Sequence, residues 1–152
     1  MKRPTLSDGS TPSRSEAIRR LAWFRYRLRC FQRFSERVAR SCGITPQQHQ
    51  LLLGVAGYTG RGWATISELA EFLQGRHNAV VGLVQRAEER GLVRKIQGDK
   101  DRRFVKVHLT RQGFTILDKI SRMNITELRE LQFEIMKTPQ PRPRDIPAAQ
   151  GT

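Results

Sequence analysis

This chain contains few of the residues that build disulfide frameworks, metal sites or membrane spans. Only two of its 152 residues are cysteines, Cys30 and Cys42, and their spacing is not that of zinc ligands. Two cysteines are also too few for a disulfide scaffold, so a reducing, cytoplasmic location is the simplest expectation. No apolar run approaches the ~20 residues that a membrane-spanning helix needs. The first residues lack the apolar centre of a secretory signal, and we expect no contact with a membrane.

Acidic residues are scarce relative to basic ones. The chain has 14 Asp and Glu against 28 Lys and Arg, which gives a formal net charge of +14 at pH 7. An excess of this size favours polyanionic partners, with nucleic acid ahead of an anionic membrane surface. A ribosomal-type or merely soluble basic protein has the same composition, so the charge alone does not decide the function.

The residue sets that catalysis requires are also missing. The sequence has no nucleophile–base pair, no phosphate-binding glycine loop and no cluster of metal ligands. Its three histidines, His49, His77 and His108, are scattered along the chain. We therefore expect neither an enzyme nor a bound metal or cofactor.

Two long helices are predicted, one on each side of a central lobe. Polar and proline-rich segments at 1–12 and 138–152 are predicted to be disordered. Between them, 13–44 and 111–137 carry apolar residues at alternating intervals of three and four, which is the pattern of a helix that packs against partners. The candidate contacts of a dimerisation domain built from these helices are Leu21, Phe24, Leu28, Leu117, Leu128 and Leu131.

The central lobe, 45–110, reads as short helices followed by a hairpin. Thr45-Pro46-Gln47-Gln48 and Thr65-Ile66-Ser67-Glu68 both have the residues of a capping box, which starts a helix. A turn at Gln74-Gly75 separates the second of these helices from a third, which ends near Gly91. Alternating apolar residues then predict strands at 92–96 and 104–109. The predicted fold is therefore mainly α with a small β-hairpin wing, a winged helix-turn-helix arrangement.

The helix after the turn begins with residue types that read base edges. Arg76 can bond guanine with two hydrogen bonds, and Asn78 can bond adenine in the same way. Val81 can touch a thymine methyl, whereas His77 and Gln85 can reach a base or a phosphate. Ordinary exposed polar residues on a surface helix are the alternative, which stays open for His77 and Gln85.

The hairpin loop is the second candidate contact. It contains Lys100, Asp101, Arg102 and Arg103. An aspartate beside an arginine holds the guanidinium in a defined position, so the arginine loses less entropy when it enters a minor groove. The alternative is a solvated turn in which Asp99 only bonds the local backbone.

Four segments, in their order and spacing, resemble the MarR family of bacterial winged helix-turn-helix transcription regulators. They are ITPQQHQLLL, ISELAEFL, VVGLVQRAEERGLVRK and GDKDRRFVKVHLTRQG, and the resemblance covers about residues 31–117. The last segment is the most specific, since it combines an Asp-Arg-Arg wing, a strand, Leu-Thr and a glycine one turn into the next helix. The chain differs from many members in having Arg76-His77 where they place a small hydroxylated residue and proline.

The resemblance implies a homodimer that binds double-stranded DNA and regulates transcription. It implies that Arg103 enters the minor groove while Asp101 orients it, and that Thr65 and Ser67 lie at a helix start near phosphate. A repressor that is released by a small aromatic or acidic effector is the leading expectation. The alternative is a basic winged-helix protein that binds nucleic acid architecturally, without a defined operator.

Overall fold

The computed structural model describes residues 13–98 and 104–136. The predicted mainly α fold, with a small β wing between two long helices, is confirmed. The elements run in the order α1 (Arg14–Ser41), α2 (Pro46–Leu53), a π-helical turn (Gly54–Tyr58), β1 (Trp63–Thr65), α3 (Ile66–Leu73), α4 (His77–Glu89), β2 (Val93–Gln97), β3 (Val105–Leu109) and α5 (Arg111–Met136).

Both predicted capping boxes are present. At the start of α2, the Thr45 hydroxyl accepts from the Gln48 N–H and the Gln48 side chain accepts from the Thr45 N–H, each at 3.1 Å. At the start of α3, Thr65 and Glu68 make the same reciprocal pair, at 3.3 and 2.8 Å. Each box satisfies two backbone groups that a helix start would otherwise leave without partners, which explains why the helices begin at these residues.

The turn between α3 and α4 is tight. Gln74 ends α3 in a left-handed conformation, with φ at +50°. The N–H of Gly75 then donates to the carbonyl of Ala70 at 3.0 Å, which closes the end of the helix. Arg76 directly precedes α4. Only three residues separate α3 from α4, so the turn restricts how the two helices can be oriented.

The wing contains a strand that the sequence pattern did not predict. The sheet has the order β1-β3-β2, and both pairings are antiparallel. Ala64 of β1 lies opposite Val107 of β3, and both side chains are fully buried against the helices. Trp63 and His108, the next pair in the register, therefore lie on the opposite, outer face of the sheet.

A single core joins the lobe to the start of the C-terminal helix. It includes Leu51 and Leu52 from α2, Leu69 from α3, Val84 from α4 and Ile120 from α5, all with no exposed surface. Because α5 contributes to the same core as the helix-turn-helix, the lobe and this part of α5 are packed as one unit.

The terminal helices α1 and α5 pack against each other, but not along their whole length. A buried hydrogen bond from the Asn124 amide to the Ser35 hydroxyl, at 3.2 Å, joins them. Val38 and Ala39, in the C-terminal part of α1, are buried, whereas Leu21 nearer its start is 61% exposed. The apolar stripe of α1 is thus covered only in its second half within one chain.

Candidate nucleic-acid interface

The exposed face of α4 carries the base-reading residues that the sequence predicts. Arg76, His77, Asn78 and Gln85 are exposed, and Val81 is 42% exposed. The opposite face of the helix is buried in the core through Val80, Leu83, Val84 and Ala87. The helix is therefore anchored on one side and presents the other side to solvent.

The first turn of α4 also offers backbone donors. Arg76 occupies the cap position, and its side chain makes no capping hydrogen bond to that turn. The N–H groups at a helix start carry partial positive charge and attract anions such as phosphate. Side-chain and backbone donors are therefore combined at the end of the helix that the sequence assigns to reading DNA.

At the start of α3, the two predicted phosphate contacts, Thr65 and Ser67, differ in whether their hydroxyl groups are free to bind a ligand. Ser67 is exposed, where its hydroxyl can donate to a phosphate. The Thr65 hydroxyl instead donates to the Glu68 carboxylate at 3.1 Å. The Thr65 N–H, with help from the Arg61 guanidinium, holds the pKa of Glu68 below its usual value, so this carboxylate stays a charged acceptor. Thr65 acts here as a helix cap, and Ser67 is the better placed donor.

A cleft of about 470 Å³ lies where α3, α4 and the wing meet. Ser67, His77 and Val81 line it from the helices, and Lys95 and Phe104 line it from the wing. Thr65 also lines the cleft, so four of the residues that the sequence assigns to DNA binding share one concave surface.

The wing is tied to α4 by Glu88. Its carboxylate accepts from the backbone N–H of Lys95 at 2.9 Å and pairs with the Lys95 ammonium at 3.0 Å. The Lys95 N–H, and then the ammonium, lower the pKa of Glu88. This double contact fixes β2 to the second half of α4, so the wing and α4 are held in one orientation.

The tip of the wing lies outside the described residues. This applies to Lys100, Asp101, Arg102 and Arg103, whose roles stay predictions, and to the predicted disorder at 1–12 and 138–152.

The predicted dimer contacts are divided between the surface and the core. Leu28 is half-buried, and the exposed contacts are Leu21, Phe24 and Leu128. Leu117 and Leu131 are buried within the chain, at 6% and 5% exposure, and Leu117 belongs to the core described above. Those two side chains are used within the protomer, and we do not include them in the dimer surface proposed below.

Basic and aromatic residues on the outer face of the sheet were not assigned from the sequence. They include Trp63, Arg94 and Lys106. Alternation in Trp63-Ala64-Thr65 is a strand signal, but a strand of three residues is too short to be told from a turn by pattern alone.

Across residues 13–98 and 104–136, no group of three or more His, Cys, Asp or Glu is placed to hold a metal ion. Cys30 and Cys42 are free and half-buried. Of the helices just described, none combines the length and the apolar character that crossing a membrane requires.

A helix pair joined by a tight turn, followed by an antiparallel hairpin fixed to the second helix, defines the winged helix-turn-helix class. Within this class the sequence model of the MarR family matches residues 43–103, which run from the start of the lobe to the wing. The predicted resemblance to the MarR family is thereby confirmed. No curated protein sequence matches the chain significantly.

Solved structures of MarR-type regulators share the fold. AbsC, a MarR family transcriptional regulator from Streptomyces coelicolor, is 20% identical, with a TM-score of 0.65 over 89% of this chain and 85% of that one. A cysteine-to-serine variant of MarR from E. coli, complexed with operator DNA, is 20% identical, with a TM-score of 0.60 over 86% and 89%. A phenylalanine-to-leucine variant of MepR from S. aureus, bound to an oligodeoxyribonucleotide, is 18% identical, with a TM-score of 0.60 over 74% and 80%.

Proposed function

We propose that this chain is a sequence-specific regulator of transcription that binds double-stranded DNA as a homodimer, in the cytoplasm. The observation that carries the proposal is the first turn of α4, where Arg76, His77 and Asn78 are exposed on a helix whose other face is buried. Two of its structural neighbours have DNA bound. Each bidentate contact to the correct base would contribute ~1–3 kcal/mol of discrimination.

Charge would supply most of the raw affinity. With a net charge of +14, the chain would release many counterions from DNA, so its affinity would fall steeply as salt is raised. Charge does not distinguish one sequence from another, and the discrimination would come from α4 and from the wing arginine Arg103.

Exposed apolar side chains on the terminal helices support the homodimer. Ile18 is 60% exposed, Leu21 61%, Phe24 40%, Ile125 45% and Leu128 38%. A symmetric second copy would bury these side chains and complete the half-covered stripe of α1. It would also place a second α4 one turn of DNA away, roughly 34 Å from the first.

We further propose that the regulator is a repressor and that a small aromatic or acidic compound releases it. The support is a cleft of about 440 Å³ that touches α1, α2 and α3. Phe31 and Phe72 line it together with the amides of Gln32, Gln47 and Gln50. The lining mixes aromatic rings with polar groups and includes the Glu36 carboxylate, so this cleft suits a small aromatic ligand better than an acidic one. Because the cleft joins a terminal helix to the lobe, an occupant would change the spacing of the two reading helices.

An architectural protein without an operator is the second candidate, and the high net charge favours it equally. Such a protein would bind all duplexes alike and would not depend on the identity of the residues at the start of α4.

The two candidates are separated by recovering genomic fragments that bind the protein and sequencing them. We expect a small set of fragments that share an inverted repeat, bound far more tightly than shuffled duplexes at the same salt concentration. Fragments without a shared sequence would favour the architectural protein. Adding aromatic acids to the recovered complex then tests release, and DNA that stays bound with every compound would contradict the effector.

A further inference from the structure

The outer face of the wing sheet is the most unusual surface outside the reading helix. The register places Trp63 opposite His108, and His108 opposite Arg94, so these side chains share one face. Residues two apart on a strand point the same way, which adds Lys106. We use the name outer sheet face for this group together with two flanking residues that contact Trp63: Arg61, Trp63, Arg94, Phe104, Lys106 and His108.

Trp63 organises both cations and rings on this face. The guanidinium carbon of Arg61 lies 3.9 Å from the centroid of its ring, and the ammonium of Lys106 lies 4.6 Å from it. Cations held over an aromatic ring in this way are oriented before any ligand arrives. The His108 ring lies 6.3 Å from that of Trp63 with 31° between the planes, and Phe104 meets it edge-on at 6.5 Å.

The face is positively charged and still exposes apolar surface. Arg94 and Lys106 lie on this face without a paired carboxylate from the three strands, which contain no Asp or Glu, whereas Arg61 at its edge is paired with Glu68 of α3 at 2.7 Å. Burial, and then the nearby charges of Arg94 and Lys106, lower the pKa of His108, so its ring is neutral at pH 7 and adds aromatic surface rather than charge. Phe104 is 48% exposed beside these cations.

The chemistry of this surface narrows the choice of ligand. An apolar protein partner would bury Arg94 and Lys106 without acceptors, which is unfavourable. A DNA duplex would supply phosphates, but its bases are already stacked and would leave the rings of Trp63 and Phe104 unused. A strand with unpaired bases supplies both phosphates and free ring faces, and sheets with exposed aromatics bind such strands.

We propose that the outer sheet face binds single-stranded nucleic acid. Arg94 and Lys106 contact its phosphates, and an unpaired base stacks on Phe104 beside Trp63. Phe104 also borders the cleft lined by His77 and Val81, but Asn78 is not part of the outer sheet face, so this activity does not require Asn78.

The intrinsic fluorescence of Trp63 gives a direct readout. The chain has two tryptophans, and Trp23→Phe leaves Trp63 as the only emitter. This change is tolerable because the indole N–H of Trp23 is buried without a hydrogen-bond partner. The full chain is titrated with an oligothymidylate of about ten nucleotides, a length that such surfaces span. An oligouridylate of equal length tests RNA, and inorganic polyphosphate tests charge without bases.

We expect saturable quenching of Trp63 by the oligonucleotides and a clearly smaller change with polyphosphate, which can engage Lys106 over the ring but has no base to stack. Phe104→Ala should weaken oligothymidylate binding by roughly 5- to 150-fold, the loss associated with one stacked base. Lys106→Gln should weaken it and lower its salt dependence. The matched controls, Phe114→Ala and Lys119→Gln, change an exposed aromatic and an exposed cation on α5 and should bind as the parent does.

Three results would overturn the proposal. They are an absence of quenching by both oligonucleotides, equal quenching by polyphosphate, and unchanged affinity in Phe104→Ala and Lys106→Gln. If Phe104→Ala does not fold, as judged by circular dichroism, Lys106→Gln decides alone. Asn78→Ala should leave single-strand binding intact, so a failure of this proposal is distinguishable from a failure of operator recognition.

Discussion

Gly113 lies directly against the backbone of Leu92. A Cβ atom at position 113 would be 2.0 Å from the carbonyl oxygen of Leu92, far inside contact distance. The same carbonyl accepts from the N–H of Thr110 at 3.1 Å, and the Thr110 hydroxyl donates to the carbonyl of Gly91. The start of α5 therefore packs on the junction between α4 and β2, which connects the C-terminal helix to α4.

We expect Gly113→Ala to destabilise the protein strongly, because the added methyl can be accommodated only if α5 or Leu92 moves. Forcing extra atoms into a packed site typically costs about 1–3 kcal/mol, and a backbone clash falls at the upper end. Chemical denaturation measures the effect. Gly57→Ala is the matched control, since a Cβ there meets no atom within 4 Å, and it should change the free energy of unfolding by less than about 0.5 kcal/mol. Equal stability of the two variants would show that the close approach is absent in solution.

Stability should fall as the pH drops below 6.5 because of His49. This side chain is 2% exposed, its Nε2 has no hydrogen-bond partner, and burial lowers its pKa from the ordinary value of 6.5. Below that value the unfolded chain binds a proton that the folded chain excludes. The stabilisation is therefore complete above pH 6.5 and is lost on acidification, by at most about 1.4 kcal/mol per pH unit.

The free energy of unfolding of His49→Gln, measured by denaturation at several pH values between 7 and 5, tests this expectation. Its slope against pH is compared with that of the parent, and the slope of the variant should be shallower. His108 shifts in the same direction and contributes part of the parent slope, so His108→Gln is measured alongside. His77→Gln, at an exposed position, serves as the control. A parent-like slope in His49→Gln would mean that His49 is not buried as described.

The exposed apolar residues of the terminal helices should hold the dimer together. Leu21→Asp or Leu128→Asp would place a charge in the proposed interface, and sedimentation should then report a smaller particle or a weaker association. Ile96→Asp is the control, because Ile96 is 40% exposed but lies on the wing. If all three variants sediment as the parent does, the interlocked terminal helices are not the dimer surface.

Arg103→Ala should weaken binding to the specific site without changing stability, since the resemblance to the MarR family assigns Arg103 to the minor groove. Asp101→Asn should have a smaller effect in the same direction, because Arg103 would keep its charge but lose its orientation. Anisotropy titrations and thermal denaturation measure the two properties. Unchanged affinity in Arg103→Ala would remove the wing from the proposed interface.

Local signals made the central lobe predictable. The starts of α2 and α3 depend on hydrogen bonds within four residues, so Thr45-Pro46-Gln47-Gln48 and Thr65-Ile66-Ser67-Glu68 carry the whole signal in the sequence. The exposed side of α4 follows from the periodicity of its buried residues. The glycine one turn into α5 was noted only as part of a family pattern, and its contact with Leu92 supplies the physical reason.

The sequence pattern did not reveal features that depend on contacts between residues far apart in the chain. Strand β1 owes its structure to pairing with β3, some forty residues later, and three residues carry too little pattern to show it. The stripe of α5 predicts an apolar face but not what covers it. Leu117 and Leu131 proved to be buried within the chain, whereas Leu128 remained exposed, a division that periodicity alone does not give.

The most direct test is a comparison of two duplexes, a recovered genomic site and its shuffled counterpart, by anisotropy at one salt concentration. We expect the protein to favour the recovered site strongly, and Asn78→Ala to lose about 1–3 kcal/mol of that preference while its binding to the shuffled duplex barely changes. Gln132→Ala, an exposed amide on α5, should behave as the parent. Equal affinity for both duplexes, or undiminished preference in Asn78→Ala, would contradict a reading role for α4.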